Sequence, residues 1–479
     1  MRRANRNLPI YLKLAQSLEQ QIQKGTFAVG DQVPSVRELS RQHRISVSTV
    51  LQAYFWLENK GWIEAKAKSG FYVRTPVESL KPEPAYRPVQ SKPTPVTIGE
   101  LALEVMQSRQ AAKISFSAAS TTPDQLPIHK LNSIIRRISR DDPTHSASYT
   151  MPPGSLALRQ QIAKRSVMSG CAFLPRDVTI TCGAMEALNL CLRAIGNPGD
   201  VIATESPTYF SVLQAIESLG MKALEVPTHH RTGMDLNVLE QAITKHRVRG
   251  CIAITNCHNP LGYILPDDRK RALVDLLTRC EVPLIEDDVY GDLAFSPRRP
   301  RTAKAFDRRG MVMVCGSFSK TISPGLRVGW VHSERYHLKI EQLKLITSIA
   351  NPSLSEAVVA ELLDSGGYDR HLRQMRITCE QKVRAISQAV SKYFPEATRV
   401  SRPEGGHVLW VELPEGIDSV VLFRAALQEG ISISPGPIFS ASGKFRNCIR
   451  LNCGLKWSDD VDRAILKLGR LCETVGSKK

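Results

Sequence analysis

Apolar positions recur along this chain with two different periods, and the change of period divides it. Between Tyr11 and Lys24, Leu14, Leu18 and Ile22 fall at helical spacing, and Gly25 ends the run. Ser35 then stands three residues before Glu38, the signature of a reciprocal helix cap, and predicts a helix over about Val36–His43. A break at Arg44–Ile45 leads to a second capping residue, Ser46, and to a third helix over about Val47–Lys60 that Gly61 stops. Two short strand-like pieces follow, Trp62–Ala65 and Phe71–Arg74, joined by K-A-K-S-G.

Beyond residue 113 the pattern changes. Apolar runs at Val178–Thr181, Val201–Ala203, Ala223–Val226, Gly250–Thr255, Pro283–Glu286, Met311–Cys315 and Gly329–His332 alternate with helical patterns. Such alternation predicts an α/β domain, a mainly parallel sheet with helices on both faces. Its functional groups belong at strand ends and in the loops that follow. Between the two patterned regions, Pro76 to Pro95 holds six prolines among Lys, Glu, Ser and Thr. That composition favours extended chain, and at ~3.1 Å per residue about 20 residues reach ~60 Å. The expected organisation is therefore a small module at 1–75, a tether at 76–112 that turns helical from Gly99, and a large domain at 113–479.

Composition sharpens this division. A chain of 479 residues with 42% hydrophobic content can fill large cores, and no apolar run approaches the ~18–20 residues of a membrane span. Met1–Leu14 is basic but has no apolar stretch or cleavage site of a secretory signal. The 11 cysteines form no C-x-x-C pair and sit among apolar neighbours, as at Cys191, Cys251 and Cys315. That usage fits reduced thiols in a cytoplasmic protein and no metal site. The net charge of +18 is uneven, because residues 1–75 hold 12 Lys/Arg against 5 Asp/Glu. A basic module suits a polyanion, although basic surfaces also occur without one.

Three helices and a basic hairpin make a winged helix-turn-helix. Ser46, Ser48 and Thr49 stand at the start of its third helix, where side chains reach base edges. Arg37, Arg41, Arg44, Lys66 and Lys68 are placed to meet phosphates. The plainer reading is a helical module with an ordinary basic surface. The stretch resembles the GntR family of bacterial regulators, on Pro34-Ser35-Val36-Arg37-Glu38-Leu39, the serine- and threonine-bearing Ser46–Tyr54, and Gly70 in the wing. The resemblance covers 8–75 and implies that Arg37, Arg44, Ser46, Ser48, Thr49 and Gly70 touch double-stranded DNA.

The large domain has one lysine in an unusual place. In M-V-M-V-C-G-S-F-S-K-T-I-S-P-G-L-R-V-G, Lys320 follows a buried strand, with Ser317 before it and Arg327 after it. A desolvated lysine loses its proton near neutral pH and becomes a nucleophile for an aldehyde. A hydroxyl and a guanidinium beside it suit a phosphate. An aldehyde that carries a phosphate suggests pyridoxal phosphate; a solvated surface turn is the alternative. Other strand ends add modest signals. Gly183-Ala184 opens a helix whose free N–H groups can hold an anion. Tyr209, in S-P-T-Y, can lie against a ring or fill a core. Asn259, in H-N-P-L-G, sits in a turn. Asp287, before Asp288 and Tyr290, suits a buried cation such as a pyridinium, or an ion pair or helix cap. Arg450, within C-I-R-L-N-C-G, suits a carboxylate or a structural ion pair.

In order and spacing these motifs resemble the fold-type I PLP enzymes, the aspartate aminotransferase group, over about Ala147–Gly469. The resemblance implies that Lys320 forms the internal aldimine and Asp287 pairs with the pyridine nitrogen. It also implies that Asn259 and Tyr290 bond the ring oxygen, Tyr209 stacks on the ring, and Gly183, Ala184, Ser317 and Arg327 bind phosphate. Arg450 would take an α-carboxylate, and Tyr149, in Y-T-M-P-P-G, would reach the partner subunit's cofactor in a head-to-tail homodimer. One departure is Phe116–Pro127, F-S-A-A-S-T-T-P-D-Q-L-P, which lacks the glycine usual in this arm and leaves its ligand contacts open. A GntR-type reader joined to such a domain resembles the MocR subfamily of transcription regulators. That implies an amino-acid-like effector sensed by aldimine exchange at Lys320. A working aminotransferase and a regulator responding to pyridoxal phosphate itself are the alternatives.

Overall fold

The computed structural model describes residues 9–24, 26–28, 30–66, 69–74, 80–86 and 91–476, and the chain divides into two units, Met1–Lys81 and Pro82–Lys479. Gly25 and Lys68 lie outside the described residues.

The first unit follows its local signals closely. Helices span Ile10–Gln23, Val36–His43 and Val47–Asn59, and the strands Ile63–Lys66 and Gly70–Val73 pair antiparallel as the wing. The expected cap at Ser35 is reciprocal: Glu38 N donates to Ser35 Oγ at 3.2 Å, and Ser35 N donates to Glu38 Oε2 at 3.0 Å. Arg44 breaks the second helix in a left-handed conformation (φ 53°), and Ser46 Oγ caps the third by accepting from Thr49 N at 3.1 Å. Leu14, Leu18 and Ile22 pack with Leu39, Val50, Tyr54, Leu57 and Ile63 into one core. Gly70 needs to be glycine: its φ is +104°, and a Cβ there would stand 2.8 Å from Gln32 Nε2.

The second unit is an α/β domain built on a nine-stranded mixed sheet. The strands Lys222–His229, Val201–Ser206, Gly250–Ala253, Leu284–Asp287 and Val312–Ser317 run parallel in that spatial order. Within this mainly parallel sheet Gly329–His332 is an exception and lies antiparallel to both Val312–Ser317 and Val178–Thr181. The reason is its connection: only the loop after Lys320 separates it from Val312–Ser317, too short for a crossover helix. A second sheet of four short antiparallel strands includes Val408–Glu412 and Cys448–Asn452.

The proline-rich stretch also differs from the free tether expected over 76–112. Pro93–Pro95 pairs antiparallel with Lys222–His229 at the sheet edge, which proline tolerates because an edge strand leaves one side unpaired. Gly99–Ala111 is a helix that buries Ala102 and Val105 in the large core. The described part of this stretch from Pro82 onward therefore belongs to the second unit.

Candidate functional site

The parallel strands end on one side in loops that converge on a single pocket with about 770 Å³ of empty space. Ala184, Tyr209, Asn259, Asp287, Tyr290, Ser317, Lys320 and Arg327 all line it. These eight side chains come from five separate loops, so their meeting is a property of the fold.

Lys320 projects into the pocket, and its Nζ donates to Ala119 O at 2.5 Å. Withdrawal from water, then Arg450 and Arg109, pull its amine down from 10.5 to about 8. Asp287, at the end of Leu284–Asp287, is pushed up to about 7, chiefly by loss of water and also by Asp288 and Glu205. A cation in the pocket would reverse that penalty. Tyr290 donates its hydroxyl to Ala119 O at 3.3 Å, and burial raises its pKa.

At the other end the groups suit an anion. Gly183 (φ +83°) leads into the helix Ala184–Ile195, whose first turn has no side-chain cap. A Cβ at Gly183 would come within 2.6 Å of Arg327 Nη2, so glycine is what lets that guanidinium lie over the turn. Arg327 Nη2 donates to Cys182 O at 3.0 Å. Ser317 Oγ donates to Ser319 Oγ at 2.9 Å, and Ser319 N donates back to Ser317 Oγ at 3.1 Å.

Arg450 lies behind Asn259, fully buried on Cys448–Asn452. It donates to Asn259 Oδ1 at 3.2 Å, Ser117 O at 2.5 Å and Ser434 Oγ at 3.1 Å, and its Nε has no hydrogen-bond partner. Among the described residues no carboxylate pairs with it, and burial lowers its pKa. The structural ion pair considered for Arg450 is therefore not what holds it. A buried guanidinium without a counter-ion costs several kcal/mol, roughly, unless its hydrogen bonds are met. The site keeps this cation on neutral acceptors.

The arm Phe116–Pro127 is part of the site despite its missing glycine. It acts through main-chain carbonyls, Ser117 O on Arg450 and Ala119 O on Lys320 and Tyr290, which any residue supplies. Sequence reasoning missed Ala119, and also Ser319 and His407. Ser319 was visible in S-F-S-K. His407 had no signal: it is fully buried beside Tyr290, with ring centroids 5.3 Å apart, and its pKa falls to about 3 by burial and the Lys320 charge. Tyr149 is not in this pocket; it is 76% exposed.

On the first unit, Arg37, Arg41, Arg44, Ser46 and Ser48 are exposed around the corner between the second and third helices. Thr49 is half-buried, with its Oγ1 2.8 Å from Ser46 Oγ, so part of its hydroxyl is committed to the cap.

Residues 10–73 match the bacterial regulatory proteins of the gntR family, and residues 116–468 match aminotransferase class I and II. Fold and site together define a DNA-binding transcriptional regulator with an aminotransferase-like, pyridoxal phosphate-binding domain. The HTH-type transcriptional regulator YjiR of Escherichia coli (strain K12) is 38% identical over 96% of this chain and 98% of its own length. The chain belongs to the GntR-type regulators of the MocR kind. Its large unit also resembles the kynurenine aminotransferase of Pyrococcus horikoshii, solved with PMP (TM-score 0.73, 27% identity, 78% of this chain and 94% of that one). A third relative in fold is the α-aminoadipate aminotransferase LysN of Thermus thermophilus, complexed with N-(5'-phosphopyridoxyl)-L-leucine (TM-score 0.73, 28% identity, 78% of this chain and 95% of that one). Among the described residues no helix is long and apolar enough to cross a membrane.

The pocket fits pyridoxal phosphate on its own chemistry. It has a nucleophilic amine, a carboxylate waiting for a cation, and an uncapped helix start beside two hydroxyls and a guanidinium.

Proposed function

We propose that the large unit senses an amine that carries a carboxylate, an amino-acid-like effector, and that this controls the DNA-reading unit. The observation that carries the reading is Arg450: a buried cation with no carboxylate partner among the described residues, one residue away from the pocket through Asn259. Bound in the pocket, pyridoxal phosphate supplies an aldehyde for amines and a ring that withdraws electrons. Lys320, with its amine lowered to about 8, would be the residue that holds the aldehyde. Asp287 would pair with the ring nitrogen and hold its proton. Asn259 and Tyr290 would bond the ring oxygen, Tyr209 would lie on the ring, and Gly183, Ala184, Ser317 and Arg327 would hold the phosphate. Arg450 selects for the carboxylate.

On the reading unit, Arg37 and Arg44 meet phosphates, Ser46, Ser48 and Thr49 face base edges, and Gly70 shapes the wing. We infer a head-to-tail homodimer acting in the cytoplasm. Its support is a set of exposed apolar side chains, Tyr149, Met151 and Ile349, on two segments that the bridge between Thr150 and Asn351 joins. Tyr149 is exposed and does not line its own pocket, which leaves it available to the pocket of a second copy. A ligand controls DNA binding only if it favours one of two conformations.

The same groups suit turnover, because a lysine near 8 can hold and release a proton at neutral pH. One experiment separates the readings: scan the visible band and assay keto acid while adding L-amino acids to cofactor-loaded protein. A spectral change that alters DNA affinity without keto acid supports the sensor. Steady keto acid formation makes the protein an aminotransferase. A DNA response to pyridoxal phosphate alone assigns the cofactor as the signal.

A further inference from the structure

The second unit begins with a strap, and the strap is pinned by charge. Pro82 O accepts from Val400 N at 2.7 Å, Ala85 N donates to Glu412 Oε2 at 2.8 Å, and Tyr86 OH donates to Asp235 Oδ2 at 3.3 Å. Between these points Glu83 inserts its carboxylate between the Arg231 guanidinium and the imidazole of His230, whose pKa burial lowers. It accepts from Arg231 Nε at 3.0 Å and Nη2 at 2.7 Å, and lies 3.7 Å from His230 Nε2. Arg399 Nη1 donates to Glu83 O at 3.4 Å, and Arg402 stands within electrostatic reach.

Beneath the strap is a second cavity, separate from the cofactor pocket, with about 950 Å³ of empty space. Pro84, Ala85 and Tyr86 of the strap line it, and so do Pro207 and Trp410. Two of these residues also border the effector site. Trp410 is the cross-strand partner of Arg450, and both touch Phe439, at 5.3 Å between rings and 5.1 Å from the guanidinium. Pro207 is two residues from Tyr209, which lines the cofactor pocket. Trp410 and Phe439 thus connect Arg450 to a space that the strap also lines. Side chains bordering a void have room to shift, whereas a close-packed interior resists. The latch itself is weak enough to open, since Arg231 is 62% exposed and exposed ion pairs contribute little.

We propose that Pro82–Tyr86 is the element that transmits effector binding to the reading unit, with Glu83 on Arg231 as the latch. The proposal rests on the sensor reading and adds the path. A carboxylate on Arg450 shifts the Trp410–Phe439 layer, the cavity changes shape, and the strap docks or releases. The strap is continuous in the chain with the reading unit, which ends at Lys81.

The test uses the full chain and a duplex selected from a random pool on the wild-type protein. The probes are pyridoxal phosphate and a panel of L-amino acids. Glu83→Gln and Arg231→Ala should each raise amide exchange of Ala85 and Tyr86 at least tenfold. The visible absorbance with pyridoxal phosphate should stay as in wild type, and DNA affinity should no longer respond to the probes. Arg279→Ala, which removes an exposed ion pair to Glu240 elsewhere on the same unit, should change none of these. The latch is overturned if Glu83→Gln keeps wild-type exchange over 82–86, or if it keeps the wild-type response of DNA affinity. If wild type responds and the variants respond equally, the latch alone fails. If wild type responds to no probe, the sensor reading fails and the latch with it.

Discussion

The two units hold their working cations in opposite ways. On the reading unit Arg37 and Arg44 stand in water, on a helix end and at a helix break. In the large unit Arg450 is fully buried and held by a carbonyl, an amide and a hydroxyl. An exposed cation is cheap, mobile and screened by salt, which suits a polyanion of regular charge. A buried cation kept without a counter-ion is preorganised for one small anion and is costly to leave unmatched. The first unit is thus built for many weak contacts, and the second for a few strong ones.

The largest expected effect tests that contrast at Arg450. Truncating one partner of a buried charged contact costs about 2–5 kcal/mol. Arg450→Ala should therefore weaken the spectral response to carboxylate-bearing amines by roughly that amount, leaving the response to amines without a carboxylate unchanged. Titration of the visible band checks this, and an equal loss for both ligand types would remove the contrast.

Next is the pH dependence of cofactor capture. Only the neutral amine attacks an aldehyde, and Lys320 is lowered from 10.5 to about 8. The capture rate should rise about tenfold per pH unit below about 8 and level off above it. A rate that climbs without a break to pH 10 would mean that the amine is solvated like any surface lysine.

A smaller effect is expected on the reading unit. Arg37→Ala should weaken DNA binding about equally for all sequences and reduce the salt slope by about 1, with cofactor absorbance unchanged. Mobility shifts at several salt concentrations check both. The smallest effect is Ser35→Ala, which removes the reciprocal cap and should lower the stability of the first unit by about 1 kcal/mol. Denaturation followed by tryptophan fluorescence, with cofactor absorbance read in parallel, would show whether the loss is confined to that unit.

The contrast also explains what could be read from sequence. The caps at Ser35 and Ser46 were legible because their partners lie three residues away. Lys320, Asp287, Asn259 and Arg450 were legible as residue types in motifs. Their partners were not: Ser117 O is 333 residues from Arg450, and Ala119 O is 201 residues from Lys320. A main-chain carbonyl has no residue type to signal it. His407 was missed because a lone buried histidine carries no pattern. The proline-rich stretch was misjudged because composition predicts an extended backbone but not whether a sheet edge will receive it.

One measurement bears most directly on the whole account. The full chain is soaked in pyridoxal phosphate, reduced with borohydride, digested and mapped by mass spectrometry. A phosphopyridoxyl group on the peptide containing Lys320, and its loss in Lys320→Ala with the fold retained by circular dichroism, is the predicted result. No label, or a label spread over surface lysines with none at 320, would contradict it.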